Sequence, residues 1–216
     1  MAAFLGGAAL AGESTGTVTG SVPLPDRVST RIAVEKYSGS ISGKVGTPQP
    51  GVAGVWLERP GLAAPASPPR FSLTQKDYQF GRSLLVVPRG TRVAFPNEDD
   101  DYHNVYSLSK GGRFDLGRYM RGAAPPPDML FDRPGLIRLR CEIHEHMRAV
   151  ILVVESPYYT VTDASGAFRL AKIPPGQYSL HAQADEKDHR IVTVTVSAGR
   201  TTTASFPASP ARASIR

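Results

Sequence analysis

The residues best suited to chemistry lie in one short run, Cys141-Glu142-Ile143-His144-Glu145-His146-Met147, at the end of an alternating apolar pattern. A thiolate, an imidazole and a thioether so close in sequence form a soft-to-borderline donor set. Such a set favours copper, and two imidazoles with one thiolate and a weak thioether describe an electron-transfer copper site. The run needs a second His from another strand, and His103, in Asp101-Tyr102-His103-Asn104-Val105, is the candidate. Cys141 is the only cysteine, which excludes an intramolecular disulfide and leaves the thiol free for a metal.

Strands must position these groups. Leu136-Ile137-Arg138-Leu139-Arg140-Cys141 alternates with period two, so Ile137, Leu139 and Cys141 share one face. His103 and Val105 share a phase, so His103 can face the same interior. Ser83–Val87 and Thr91–Phe95 read as strands around a Pro88-Arg89-Gly90 turn, and Ala149–Val154 is apolar throughout, as a strand buried on both faces requires. With 19 Pro and 21 Gly among 216 residues and no convincing amphipathic helix, the expected class is all-β.

The charge of +6 permits an acidic partner or a membrane surface. The basic residues are scattered, however, so no nucleic-acid stripe is formed. Met1–Ala11 reads as the apolar core of a signal segment, with a small-residue cleavage site at Ala9-Leu10-Ala11 and no basic stretch before it. The expectation is a truncated leader, a mature chain from about Gly12, and export to the periplasm or cell exterior. No later run is long enough to span a membrane.

The middle of the chain resembles the cupredoxins. Asn97 to Val105 is similar to their first-ligand region, Phe131-Asp132-Arg133-Pro134-Gly135 to the approach to their cysteine strand, and Cys-x-x-His-x-x-Met to the short ligand loop of the amicyanin type. The resemblance implies one copper ion held by His103, Cys141 and His144 in the equatorial plane and by Met147 axially, with Asn104 bracing the two ligand loops. The loop departs from that pattern after the second His, where Glu145 and His146 stand in place of a proline, so His146 is an alternative ligand. Zinc also accepts one Cys and two His, but a Met ligand argues for copper. Glu98-Asp99-Asp100-Asp101 lacks the spacing of a calcium loop and reads as a solvated acidic rim.

The C-terminal part, Asp163-x-x-Gly166-x-Phe168-x-Leu170 with Pro174-Pro175-Gly176-x-Tyr178-x-Leu180, resembles the carboxypeptidase regulatory-like, or prealbumin-like, sandwich. Gly16–Gly20 and Gly54–Leu57 look like its opening strands. The expected fold is a cupredoxin-like Greek-key β-sandwich inserted in, or adjacent to, this smaller β-sandwich. The expected segments are a signal segment at 1–11, the regulatory-like sandwich at 12–60 plus 157–208, a linker at 61–70, the copper domain at 71–156 and a disordered tail at 209–216. The combination resembles proteins labelled methylamine-utilisation-like.

The function expected from these readings is single-electron transfer with redox partner proteins by a monomer. A copper delivery or sensing protein and a metal-free interaction module are the alternatives. A Cys141–His144 nucleophile is a weak reading, and no Ser-His-Asp elbow, phosphate loop or dinucleotide fingerprint is present, so the chain is not expected to be an enzyme.

Overall fold

A computed structural model describes residues 14–24, 49–123 and 126–208. The signal segment expected at 1–11 and the tail expected at 209–216 lie outside the described residues. The described chain is all-β, with seventeen strands. The first two are β1 (Gly16–Ser21) and β2 (Gly54–Glu58). Ten follow through the middle: β3 (Phe71–Ser72), β4 (Gln75–Lys76), β5 (Gln79–Phe80), β6 (Leu84–Pro88), β7 (Thr91–Ala94), β8 (His103–Ser109), β9 (Gly112–Tyr119), β10 (Met129–Phe131), β11 (Gly135–Arg140) and β12 (Arg148–Val154). The last are β13 (Tyr159–Val161), β14 (Ala167–Ile173), β15 (Gly176–Gln183), β16 (His189–Val196) and β17 (Thr201–Ser205).

The middle strands build a five-stranded sheet, β6-β12-β11-β8-β9, a three-stranded sheet, β10-β7-β3, and the β4–β5 hairpin. Their inward residues, among them Val93, Phe95, Phe131, Ile137, Leu139, Cys141, Met147 and Ile151, form one core. Among the described residues, β1 and β2 pair only with strands beyond residue 158. The sheets are β14-β1-β17, with β1 parallel to β17, and β13-β2-β15-β16. Val18, Val55, Leu57, Phe168, Leu170, Tyr178 and Leu180 form the core between them.

Alternation explains how both cores share a wall. In β12, Ala149, Ile151 and Val153 face the middle core, while Leu152 and Val154 point the other way. There they meet Leu84, Val86 and Trp56. Trp56 is on the outer face of β2, since its neighbours Val55 and Leu57 enter the second core. Apolar burial on both faces is why β12 has no polar alternation. Arg138, exposed on β11, adds an ion pair to Glu186 beyond the end of β15.

Two glycines are required by contact. Gly166, at φ +86°, closes a turn in which Asp163 Oδ1 accepts the N–H groups of Ser165 and Ala167, and a Cβ there would meet the Val22 carbonyl. Gly54 lies where the two sheets approach, and a Cβ there would stand 2.5 Å from Leu152 Cδ2 and 2.9 Å from Val86 Cγ2. Gly54→Ala should therefore overpack this wall and cost about 1–3 kcal/mol. Urea unfolding checks this, and an unchanged midpoint would show that the wall yields freely.

Candidate metal centre

The centre is built where three chain segments end together. β8 begins with His103, β11 delivers Cys141 one residue past Arg140, and the loop from Cys141 to Met147 leads into β12. That loop closes on itself, with Cys141 N–H donating to the Met147 carbonyl at 3.3 Å and Met147 N–H to the His144 carbonyl at 2.9 Å. His103, Cys141 and His144 offer donor atoms that all lie within 4.8 Å of one another. His103 Nδ1 is 3.1 Å from His144 Nδ1, and Cys141 Sγ is 3.9 Å from His144 Nδ1. Exposure is 0% for His103, 2% for Cys141 and 6% for His144, so the group is sheltered and opens only on the His144 side.

Met147 is fully buried in the core that contains Cys141. His146 is not part of the converging group. Its Nε2–H donates to the Tyr78 carbonyl at 2.9 Å, which directs the ring toward the β4–β5 turn. Asn104 joins the two ligand segments: its Oδ1 accepts the Glu142 N–H at 3.4 Å, and its Nδ2 donates to Asp115 Oδ1 at 2.6 Å.

Three residues to which the sequence reading gave no such role, Asp99, Asn97 and Tyr78, shape the centre. Asp99, placed in the acidic rim, is not a solvated rim residue. Its side chain is 11% exposed, and its Oδ2 lies 2.7 Å from His103 Nε2. The carboxylate favours a proton on Nε2, and Nδ1 is the ring nitrogen that faces His144. Asn97 positions the loop by accepting the Asp99 N–H at 2.9 Å and donating to the Asp101 and Tyr119 carbonyls. The available signal was an acid four residues before a candidate ligand.

Asp99 also accepts the N–H groups of Asp77 at 2.7 Å and Tyr78 at 3.0 Å. These residues form the tip of the β4–β5 hairpin with φ of 52° and 57°. Left-handed backbone costs roughly 1–2 kcal/mol per non-glycine residue, and two such residues in succession suit a tight hairpin. The turn brings the Tyr78 ring edge-on to His103 at 5.7 Å and to His144 at 5.0 Å, with its hydroxyl 3.3 Å from Asp101 Oδ2. Tyr78 is thus a cover on the centre.

Electrostatics follow this geometry. Burial pushes the Cys141 thiol up, but the His103 side chain and the backbone N–H groups of Asn104, His144 and Ile143 outweigh it and hold the thiol below its ordinary value. Burial pulls His103 down, yet Cys141 and Asp99 raise it above the usual imidazole value. His144 falls below its usual value through burial and repulsion from His103, so it stays neutral. A thiolate and neutral imidazoles are the ligating forms. The donor chemistry therefore fits a thiophilic transition metal, and copper satisfies it best if the Met147 thioether also contributes.

Residues 147–209 match the carboxypeptidase regulatory-like domain family. The match covers β12 to β17 and does not reach β1 or β2. No curated protein matches the chain. Among solved structures, the chain is similar to the Cu-containing nitrite reductase NirK from Thermus scotoductus SA-01, at 25% identity and a TM-score of 0.37. That match covers 41% of this chain and 23% of the reductase, so the chain spans under a quarter of that protein's length. It is also similar to a reduced, singly substituted amicyanin, at 17% identity and a TM-score of 0.35, over 38% of this chain and 80% of that one. A purple cupredoxin from Nitrosopumilus maritimus is similar at 19% identity and a TM-score of 0.34, over 38% and 98% of the two chains.

The raised His103 pKa sets a pH dependence of the metal-free chain. Its stabilising charge is fully present below the unfolded value near 6.5 and is lost as pH rises through the higher folded value. Asp99, lowered overall although burial opposes this, contributes above its unfolded value and is lost as pH falls through the lower folded one. Asp99→Asn should shrink the alkaline decline in the urea midpoint and weaken copper affinity by about 10–100-fold. An unaltered pH profile would separate Asp99 from His103. Tyr78→Ala should expose the His144 ring and speed the release of added Cu(II) to a chelator, followed by stopped-flow absorbance.

Proposed function

We propose that this chain is a type 1 copper protein that carries single electrons between redox partner proteins. The observation that carries this reading is the convergence of one buried thiol and two imidazoles, with the donor atoms within 4.8 Å of one another. His103, Cys141 and His144 would hold the ion, with Met147 as the further sulfur donor. Copper bound there supplies a one-electron Cu(I)/Cu(II) couple.

The chain's own residues account for the rest. Asp99 fixes the His103 tautomer, the N–H groups around Cys141 stabilise the thiolate, and Tyr78 excludes water from the imidazole side. A centre held by this many contacts moves little between charge states, which favours electron transfer. The 6% exposure of His144 also weighs against an open site from which copper is readily handed on. His144 is the most exposed of the three donors and lies against Tyr78, so we assign partner docking to this end.

The sheet pairing supports reading residues 71–156 as the copper-bearing sandwich and residues 12–60 plus 157–208 as the flanking one. Among the described residues no helix is long and apolar enough to cross a membrane. The apolar run at 1–11 supports export to the periplasm or cell exterior.

Visible and EPR spectra during Cu(II) titration of the full chain test the proposal. We expect an intense thiolate-to-copper band saturating at one equivalent, with narrow copper hyperfine splitting, both abolished in Cys141→Ser. A faint ordinary Cu(II) spectrum, or retention of zinc alone, would overturn it.

A further inference from the structure

Three of the chain's five histidines surround the centre above. The other two, His181 and His189, meet on the far sandwich, and nothing in the proposed electron transfer uses them. His181 is on β15 and His189 opens β16. The register pairs Gln183 with His189 and His181 with Ile191, so the two histidines are diagonal neighbours on one sheet face. Diagonal pairs on adjacent strands are within reach of long side chains. The face is the outer one, because Tyr178, Leu180 and Ala182 occupy the opposite phase of β15 in the core.

The two rings lie side by side on the indole of Trp56. Their centroids are 4.8 Å and 5.4 Å from it and 5.3 Å from each other, with interplanar angles of 24°, 18° and 29°. In this arrangement His181 Nδ1 faces His189 Nε2 at 3.0 Å. Two imidazole nitrogens this close require one proton or one cation between them, because two lone pairs repel. Glu58 influences which. Its Oε2 is 3.5 Å from His181 Nε2, and its Oε1 accepts the Trp56 indole N–H at 2.6 Å, so the carboxylate is itself held in place. A carboxylate at Nε2 favours the proton there and leaves Nδ1 as a lone-pair donor aimed at His189. Carboxylates orient metal-binding histidines in this way. His181 is 7% exposed, whereas His189 is exposed, so the pair is sheltered on one side and open to entry on the other.

We propose that His181 Nδ1 and His189 Nε2 form a second metal site, for a borderline divalent ion of the Cu(II), Ni(II) or Zn(II) class, with solvent completing the coordination. Glu58 acts as a positioning residue. Burial and His189 pull His181 below its usual value against the pull of Glu58, which keeps it in the neutral, ligating form at neutral pH. Affinity should follow the general order for divalent ions, with Cu(II) bound more tightly than Ni(II).

Trp56 is the single tryptophan of the chain, so its emission reports this site directly. Ni(II) alone is titrated into the full chain and into Cys141→Ser, with fluorescence and calorimetry as readouts. We expect saturable quenching at one equivalent in both, lost in His189→Gln and weakened by about 10–100-fold in Glu58→Gln. His189 is exposed, so its replacement leaves folding intact, and circular dichroism verifies that. Absence of quenching in the wild-type chain would leave the pair as a proton-sharing contact and overturn the proposal. So would equal quenching in His189→Gln, or quenching that disappears only with Cys141. Because the Cys141→Ser arm retains the second site, its failure is distinguishable from failure of the copper centre.

Discussion

The carboxylate of Asp99 is the interaction on which the centre depends. It accepts one hydrogen bond from the His103 ring and two from backbone N–H groups at the tip of the β4–β5 hairpin. The same group therefore orients a ligand and holds down the cover above it. Without the charge, the left-handed backbone at Asp77 and Tyr78 would lose the acceptor of both its N–H groups, which offsets part of its strain. Its cost in desolvation is offset by three donors, an arrangement in which a buried carboxylate remains ionised.

Much of this was legible in the sequence where the relevant residues are close neighbours. The Cys-x-x-His-x-x-Met run gave the loop, period two gave the inward face of β11, and unbroken apolarity gave the doubly buried β12. The Asp163–Gly166 turn was readable for the same reason, since its hydrogen bonds join residues within a few positions. His103 needed only a phase and a partner.

What stayed hidden depends on pairing across long separations. Tyr78 covers His144 only because two non-glycine residues accept a backbone conformation that propensity disfavours. Asp99 stands among other acids, and nothing local distinguishes the one that turns inward. The Glu58, Trp56, His181 and His189 cluster joins β2 to β15 and β16, strands separated by the whole middle segment, β3 to β12. Only the register brings them to one face.

That register also has a temporal consequence. β1 lies between β14 and β17, and β2 between β13 and β15, so both early strands find their neighbours near the end of the chain. During synthesis from the N-terminus they emerge first and remain unpaired, while the strands from β3 to β12 can already close their own core. All residues of the ligand loop and its cover precede in the chain the strands that complete the outer sandwich. The last strands of the chain thus close the outer sandwich against the far face of β12, away from the centre.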